Sequence, residues 1–448
     1  MDPLRIEVAR VMDEKTIESC IGETPLVRLQ RLPGLTRNRV YAKVEGNNPA
    51  GSVKDRPALS MIRHAEERGQ IKPGDTLIEA TSGNTGIALA FAAYLRGYRM
   101  ILIMPEQLSI ERRQTMRALG AEILLVPKSG GMEAARDLAE QMARAGEGVI
   151  LDQFNNPDNP RAHYETTGPE IWEQMGHKLD AVVVGVGSSG TLSGIGRYFQ
   201  RVSPQVEMVL ADPQGSVLAE YIRSGKLGEK GNWLVEGIGE DFIPDICDLS
   251  LVRHAYTIPD SEAFATAREV LHQEGLLLGS SSGTLIAAAL RYCRVQKTVK
   301  RVVTLGCDTG NKYLSKLYND FWMIEQGFLE RPKRGDLGDD VGRPYWERAT
   351  VYVGPGDTLA TAHTRMRNNG ISQLPVIEGR AFLGAVAERD LIRAVRRDAR
   401  GFTQEVRGVL NAEFPRINAQ RKVEDLFALL ERETAVAIMG CRLDQAVR

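Results

Sequence analysis

Short runs of apolar, mostly β-branched residues alternate with amphipathic stretches from Arg39 to about Leu305. Each run leads into a glycine-bearing loop and then into a stretch with helical spacing, which is the pattern of βαβ units in a parallel sheet. The runs predict strands at Val40–Val44, Thr76–Ala80, Met100–Met104, Ala181–Gly185 and Glu207–Ala211. The amphipathic stretches predict helices at Asp55–Glu67, Gly86–Leu95, Glu111–Leu119, Glu133–Arg144 and Ala263–Gln273. The pattern therefore predicts an α/β fold.

The carboxyl-terminal part of the chain has a different pattern. A charged segment with glycine and proline, Glu330–Asp340, follows an aromatic stretch and predicts a linker. Beyond it, two similar blocks each pair an amphipathic start with an apolar end: Asp357–Ala362 with Leu374–Ile377, and Arg421–Leu426 with Ala435–Ile438. This repetition predicts a small duplicated module. The expected domains are a core at residues 1–328, a linker at 329–345 and the module at 346–448.

Composition and charge exclude several classes of partner. With 57 Lys+Arg against 58 Asp+Glu the formal net charge is -1, so we expect no nucleic-acid or membrane surface. The amino end has no signal or transit peptide pattern, and apolar stretches such as Ile87–Leu95 are too short to span a membrane, so a cytoplasmic location is expected. The scattered cysteines and histidines indicate neither disulfides nor a metal site. Small-molecule partners are favoured.

Glycine-rich loops follow the predicted strands, at the sheet edge where open α/β folds bind ligands. In the first loop, Lys54 is either a solvated lysine at a helix start or an amine that forms a Schiff base. Thr81–Gly86 is either a capped turn or a site for the carboxylate of an amino acid. Gly185–Gly190 matches G-x-G-x-x-G and suits either a dinucleotide or a single phosphate monoester. By itself, Gly275–Thr284 is interpreted as an ordinary capped loop rich in hydroxyls.

Together the loops resemble those of the pyridoxal-phosphate-dependent enzymes of fold type II, the cysteine synthase and cystathionine β-synthase family. The matching motifs are N-P-A-G-S-V-K-D-R at 48–56, T-S-G-N-T-G at 81–86, D-Q-F-N-N-P at 152–157, G-S-S-G-T at 187–191, E-G-I-G at 236–239 and G-S-S-S-G at 279–283. The resemblance covers residues 15–328. It implies two open twisted sheets with flanking helices, and it removes the dinucleotide interpretation.

Two branches of this family are similar to different segments. Up to about Trp172 the chain is most similar to type-B cysteine synthases. Later segments look like cystathionine β-synthases, namely Asp212–Ser216, Val235–Pro244, Glu274–Leu277 and Tyr313–Met323. The duplicated module resembles the paired CBS (Bateman) module that cystathionine β-synthases typically carry, which favours that branch. Phe154 and Glu240 stand where the animal and yeast enzymes have tyrosines, so recognition of the thiol substrate by a phenol is not expected and a bacterial member is the better comparison.

The module differs from its relatives in two ways. Ala387 stands where nucleotide-binding versions favour Ser or Thr before Asp390, and we expect the second repeat to lack its usual final strand and helix. One hypothesis is an adenine-nucleotide ligand that regulates the enzyme, and the other is an interaction or packing module. The haem-binding extension of the animal enzymes has no counterpart, so no haem is expected. The family implies a homodimer or a higher homo-oligomer.

The resemblance also implies a role for each loop. Lys54 would hold pyridoxal 5'-phosphate as a Schiff base and act as general base, Asn84 would bond the ring hydroxyl, and Ser281 would face the pyridine nitrogen. The phosphate would be bound by Gly187, Ser188, Ser189, Gly190 and Thr191. The carboxylate of the amino-acid substrate would be bound by Thr81, Ser82, Thr85 and Gln153, with Gly237 as a further substrate-binding residue.

The activity implied is β-replacement on L-serine or an O-activated serine, with L-homocysteine as nucleophile and L-cystathionine as product. The alternative is a cysteine synthase that uses O-acetyl-L-serine and sulfide. Release of hydrogen sulfide from cysteine is an expected side reaction of either enzyme, and dehydration of serine or threonine is a more distant alternative. A hypothesis of another class is a sensor or scaffold protein whose module binds an adenine nucleotide or another protein.

Overall fold

The computed structural model describes residues 15–32, 34, 37–81, 83–106, 110–330, 335–339, 350–397, 401–433 and 435–439. The chain divides into two compact units, Met1–Asn319 and Asp320–Arg448. The sequence-based expectation places the end of the core nine residues later, at 328. In the described part of the chain, no helix has both the length and the apolar character that crossing a membrane requires.

The strands of the first unit form two separate sheets. Their ranges are β1 (Leu26–Arg28), β2 (Arg39–Val44), β3 (Thr76–Ala80), β4 (Arg99–Pro105), β5 (Glu122–Val126), β6 (Val149–Ile150), β7 (Ala181–Val184), β8 (Glu207–Pro213), β9 (Val252–Ile258) and β10 (Arg301–Gly306). Among the described residues, one sheet has the order β1-β2-β10-β7-β8-β9 and the other β5-β4-β3-β6. β1 is antiparallel to β2, and the other neighbours are parallel. The predicted α/β fold with two open sheets is confirmed.

Helices follow most of these strands. They are α1 (Asp55–Glu67), α2 (Asn84–Arg96), α3 (Ile110–Ala118), α4 (Gly131–Arg144), α5 (Asp158–Ala162), α6 (Gly168–Gln174), α7 (Gly190–Val202), α8 (Leu218–Ser224), α9 (Asp260–Glu274) and α10 (Ser280–Arg294). A π-helical turn, His163–Thr167, joins α5 to α6. α2 begins at Asn84, two residues before its predicted start, because Gly83 takes the N-cap position and the polar residues after it already belong to the first turn.

Both faces of the β5-β4-β3-β6 sheet are buried. Leu77 of β3 packs with apolar residues of α1 and α2, among them Met61 and Leu89. Its neighbour Ile78 packs on the opposite face with α4, whose Ala135 is fully buried. Successive residues of a strand point to opposite faces of the sheet, so a strand covered on both sides is mostly apolar. The apolar runs in the sequence have this origin. Glu79 is the buried exception in β3, and its carboxyl group accepts from the N–H groups of Asp152 and Gln153.

Helix α10 lies at the centre of the other sheet's packing. Its residues are buried from Ser280 to Leu290, and it packs against α9 and against β7, β8, β9 and β10. The approach to α9 is so close that a Cβ on Gly283 would lie 2.1 Å from the carbonyl oxygen of Ala263. Only glycine fits there without a shift of the backbone. This packing fixes the amino end of α10, which carries Ser281.

The second unit has its own apolar core. Its elements are α11 (Asp320–Glu325), α12 (Leu359–Asn369), β11 (Gln373–Glu378), β12 (Ala381–Ala387), α13 (Glu388–Arg397), β13 (Arg416–Asn418), α14 (Val423–Leu430) and β14 (Ala437–Met439). Leu359, Met366 and Leu374 are core residues of this unit. β11 pairs antiparallel with β12, and β13 pairs parallel with β14. In both of the similar sequence blocks a helix precedes a strand.

Two of the sequence-based expectations fall in this unit. Positions 331–334 and 340–345 of the predicted linker lie outside the described residues, as do positions 346–349, 398–400, 434 and 440–448 of the predicted module. Within the linker, Leu337 is fully buried and its N–H donates to the carbonyl of Arg421 at 2.9 Å. At the end of β12, the Ala387 N–H donates to Asp390 Oδ2 at 3.0 Å, so this carboxylate caps the start of α13.

Candidate active site

The loops singled out in the sequence meet at one cavity of about 610 Å³ in the first unit. Three of them follow the carboxyl ends of β2, β3 and β7, which is the edge where open α/β sheets bind ligands. The fourth, at 275–284, was expected to follow a strand but instead joins helix α9 to α10, because β10 comes only after α10 in the chain. The predicted site residues that line the cavity are Lys54, Thr81, Asn84, Thr85, Gln153, Gly187, Ser188, Ser189, Thr191, Gly237 and Ser281. Gly190 is the first residue of α7. Ser82 lies outside the described residues.

Lys54 stands at the entrance to α1, and its amine points at the loop after β7. The Nζ atom donates to Ser188 Oγ at 3.3 Å. Protein surrounds this side chain except on the cavity side, and burial lowers the pKa of Lys54 below its usual value, against the opposing influence of Cys307 and Glu240. An amine with a lowered pKa is more often neutral, which is the form that attacks a carbonyl carbon or accepts a proton.

The loop from Gly187 to Thr191 has the features of an anion site. It leads directly into α7, and the first N–H groups of a helix have no acceptor within the helix. Ser189 has a φ of 69°, and its buried Oγ has no partner of hydrogen-bond geometry, although the Cys247 thiol lies near it. A Cβ on Gly187 would lie 2.7 Å from the carbonyl oxygen of Gly237, so the backbones at Gly187 and Gly237 pack too closely for a side chain at position 187.

Thr85 and Gln153 form one polar wall of the cavity. Thr85 Oγ1 donates to Gln153 Oε1 at 2.8 Å. The Gln153 N–H donates to Glu79 Oε1 at 3.3 Å, and its carbonyl accepts from Asn159 Nδ2 at 2.7 Å. Asn159 Nδ2 also donates to Ser188 Oγ at 3.0 Å, so this amide links the Gln153 loop to the anion loop. The position of Gln153 is therefore set by two buried side chains that carry no recognisable motif.

Asn84 is the first residue of α2, and its side-chain amide forms hydrogen bonds with the segment that follows β10. Its Nδ2 donates to Asp308 Oδ2 at 2.8 Å, and its Oδ1 accepts from Lys312 Nζ at 2.7 Å. Tyr313 donates to the same Asp308 oxygen at 2.8 Å. One Nδ2 hydrogen remains for a ligand. Sequence reasoning missed Asp308 and Lys312, because they become neighbours of Asn84 only when β10 joins the sheet.

A further group at the cavity was not predicted as functional. Arg136 of α4 lies over two aromatic rings, 5.3 Å from the Phe154 centroid and 5.8 Å from the Phe242 centroid. Burial raises the pKa of Glu240 to about 8, although Arg136 and Lys54 act in the other direction. The sequence holds no signal for Arg136, since it is one polar residue on an ordinary amphipathic helix. Glu240 was noted only as a departure from relatives.

Comparison with known families agrees with this geometry. Residues 17–308 match the family described as "Pyridoxal-phosphate dependent enzyme", and this match covers well over half of the chain. The chain belongs to the pyridoxal-phosphate-dependent enzymes. Residues 347–397 match the CBS domain, so this family member carries such a domain after its catalytic core. The predicted family and its cofactor are confirmed.

Relatives of this pyridoxal-phosphate-dependent enzyme have two kinds of name. Cysteine synthase B of Pseudomonas aeruginosa is 50% identical over 301 residues, which is 67% of this chain and 96% of the relative. Cystathionine beta-synthase of Oryctolagus cuniculus is 37% identical over 430 residues, 92% of this chain and 77% of the relative. The crystal structure of a hydrogen sulfide-producing enzyme from Fusobacterium nucleatum has a TM-score of 0.63 and 36% identity, and the match covers 67% of this chain and all of that one.

The residues present fit pyridoxal phosphate. A phosphate group needs several N–H and hydroxyl donors, which the amino end of α7 and the unpartnered Ser189 Oγ offer. An aldehyde needs an accessible amine with a lowered pKa, which is Lys54. The buried hydroxyl of Ser281 lines the same cavity and offers a neutral partner for a ring nitrogen. The chain is thus an enzyme of the cystathionine β-synthase and cysteine synthase type.

Proposed function

We propose that this enzyme replaces the β-substituent of L-serine or an O-activated serine with L-homocysteine, giving L-cystathionine. The observation that carries the proposal is the extent of similarity to cystathionine beta-synthase of Oryctolagus cuniculus. The aligned region includes 92% of this chain, more than the catalytic core alone, and the CBS domain at 347–397 is the kind of domain that the resemblance associates with cystathionine β-synthases. Cysteine synthase B aligns with only 67%.

Lys54 is the proposed general base. When bound, pyridoxal phosphate withdraws electrons from the amino-acid substrate and so acidifies the hydrogen on its α-carbon. Lys54 Nζ then accepts this proton and later returns one to the same carbon. Burial lowers the pKa of Lys54, which makes the neutral amine available for this step. Its hydrogen bond to Ser188 Oγ, 3.3 Å away, places the amine next to the anion loop.

Other residues of the cavity are proposed to bind and orient the substrate and the cofactor. We assign the substrate carboxylate to Thr81 and Thr85 around the amino end of α2, and to Gln153, whose side chain accepts from Thr85. Ser82 and Gly237 are assigned to the same substrate. Asn84 and Ser281 are assigned to the ring of the cofactor, and the segment Gly187–Thr191 to its phosphate. A hydroxyl at the ring nitrogen stabilises a protonated ring less than a carboxylate does, which favours reactions at the β-carbon.

A second candidate is a cysteine synthase that uses O-acetyl-L-serine and sulfide. The specific observation in its favour is the 50% identity to cysteine synthase B of Pseudomonas aeruginosa over 96% of that relative. The same residues would perform the same proton transfers, and only the nucleophile would differ. Release of hydrogen sulfide from cysteine is a side reaction available to either enzyme.

The two candidates are separated by product analysis. The full chain, loaded with pyridoxal phosphate, is incubated with L-serine or O-acetyl-L-serine, each against L-homocysteine or sulfide, and products are identified by mass spectrometry. We expect cystathionine to form with the highest kcat/KM. Cysteine formation with rejection of homocysteine would replace the proposal by the cysteine synthase alternative.

A further inference from the structure

We propose that Arg136 and Glu240 form a subsite for the second substrate, in which Arg136 binds the carboxylate of an amino-acid thiol and Glu240 binds its ammonium group. The inference rests on the proposed function and names the side chains that would select homocysteine over sulfide. Both residues line the cavity that holds Lys54. Neither belongs to the motifs of the cofactor loops.

Arg136 is a positioned cation with no carboxylate bound to it. Its guanidinium lies against Phe154 and Phe242, whose ring centroids are 5.7 Å apart, so two aromatic faces restrict its rotamers. None of the carboxylates in the described part of the chain lies within 4.0 Å of it. A guanidinium in this state retains the planar fork that binds a carboxylate in bidentate fashion.

Glu240 supplies the opposite charge at the same cavity. Two hydrogen bonds fix the position of its backbone: its N–H donates to Ser216 Oγ at 3.1 Å, and its carbonyl accepts from the Val217 N–H at 3.0 Å. Its Oε1 lies 3.9 Å from the position that a Cβ on Gly187 would occupy, so the carboxyl group stands beside the anion loop. The cation of a ligand placed there would offset the cost of ionising a half-buried carboxyl group.

The two charges together match one class of nucleophile. Homocysteine carries an α-carboxylate and an α-ammonium group at its far end, whereas sulfide carries neither. The carboxylate of the first substrate is already assigned to the loop at the start of α2, so Arg136 remains for the second. Arg136 is exposed and Glu240 is half-buried. The attraction of a ligand ammonium group to Glu240 is therefore less screened by water than that of a carboxylate to Arg136, and the two charges together contribute specificity for a zwitterion.

The test removes each charge from the protein and then from the substrate. In Arg136→Met we expect the ratio of kcat/KM for homocysteine to that for sulfide to fall about 10- to 100-fold, the loss typical of one charged hydrogen-bonded pair, mostly through KM. Arg136→Lys should recover part of it. Arg144→Met is the matched control, because Arg144 lies on the same helix, is exposed and pairs with Glu140. It should leave the ratio unchanged.

Substrate analogues distinguish a binding role of Arg136 and Glu240 from a purely structural role. With 3-aminopropane-1-thiol, which lacks the carboxylate, the Arg136→Met variant and the wild type should react at the same rate. With 4-mercaptobutanoate, which lacks the amine, the Glu240→Gln variant and the wild type should react at the same rate. If Arg136→Met lost the same factor in kcat/KM with every thiol and with sulfide, the subsite would be overturned. The proposed function would stand in that case, provided that the wild type makes cystathionine. A wild type that makes no cystathionine would overturn the proposed function and the subsite together.

Discussion

Burial shifts the pKa of three ionisable groups at or near the cavity towards their neutral forms. It lowers the pKa of Lys54, and it raises the pKa of Glu79 to about 7 and that of Glu240 to about 8. The physical cause is common to all three, because an enclosed site disfavours whichever form is charged. The amine therefore becomes a better base, and the two acids stay partly protonated near neutral pH.

Replacing Lys54 by alanine tests its role directly. We expect Lys54→Ala to lower the rate of β-replacement at least about 1,000-fold, because both the amine and the general base are lost. The phosphate-binding loop stays intact, so the variant should still retain cofactor on desalting but lose the absorbance of lysine-bound pyridoxal phosphate. Lys72→Ala, at an exposed position of the same unit, is the control and should behave as wild type. Activity within tenfold of wild type would refute the assignment.

Glu79 makes the stability of the fold depend on pH. Burial raises its pKa from 4.5 to about 7, despite the N–H groups of Gln153 and Asp152 that favour the carboxylate. Because the folded state has the higher pKa, the stabilising contribution of Glu79 is complete below pH 4.5 and is lost as the pH rises through 7.

The variant Glu79→Gln removes this titration. Relative to wild type, its free energy of unfolding should rise by roughly 2 kcal/mol between pH 5 and pH 8, on top of a pH-independent loss from one altered hydrogen bond. Urea denaturation at the two pH values measures the difference. Glu122→Gln, which removes an exposed carboxylate from β5, is the control. A pH-independent difference between wild type and Glu79→Gln would show that Glu79 does not titrate in this range.

At the scale of elements, the success of sequence reasoning depended on local signals. β3 and α1 have the predicted bounds, because an apolar run and an amphipathic stretch of sufficient length each carry their own signal. β1, β5, β6, β9 and β10 were not predicted. Among the described residues β9 pairs with β8 alone, and its residues are mostly half-exposed and mixed in polarity, so its local signal is weak. β5 and β10 do carry apolar runs and were still missed. The cofactor loops were found by their motifs, whereas Arg136 reaches the cavity, and Asp308 reaches Asn84, only through tertiary packing.

A buried ionic network joins α1, α6 and β2 behind the cavity. Glu170 of α6 accepts from Arg56 Nη1 and from Lys43 Nζ, each at 2.6 Å, and the Lys43 side chain has no exposed surface. Burial alone would raise the pKa of Glu170, but these two cations more than offset it and lower the pKa to about 2. Removal of the carboxylate would leave a buried ammonium without its counter-charge.

The variant Glu170→Gln should therefore lower the free energy of unfolding by about 3 to 5 kcal/mol. Glu165→Gln is the matched control, since Glu165 is a nearby exposed residue that pairs with Arg161 at 2.6 Å, and surface pairs contribute below about 1 kcal/mol. Denaturant unfolding of both variants, with midpoints and slopes compared with wild type, measures the difference. Equal effects of the two substitutions would mean that the buried network adds no more than a surface pair.

At the scale of the whole molecule, the cavity connects the two sheets of the first unit. Thr81 and Thr85 follow β3 in one sheet, whereas Ser188 follows β7 in the other and Ser281 lies in the first turn of the helix packed on it. A ligand held by both sets of residues binds only when both sheets are folded. Binding free energy then adds to the stability of each sheet by mass action.

Hydrogen exchange measured with and without pyridoxal phosphate tests this coupling. At a free cofactor concentration 100 times the dissociation constant, stability rises by about 2.7 kcal/mol, so the slowest amides of β3, β4, β7 and β8 should all gain roughly 100-fold protection. Pyridoxal without the phosphate is the control, and it should protect far less because the amino end of α7 then binds no anion. Protection confined to the β7 and β8 strands would mean that the β5-β4-β3-β6 sheet unfolds separately and holds the substrate only after the cofactor is bound.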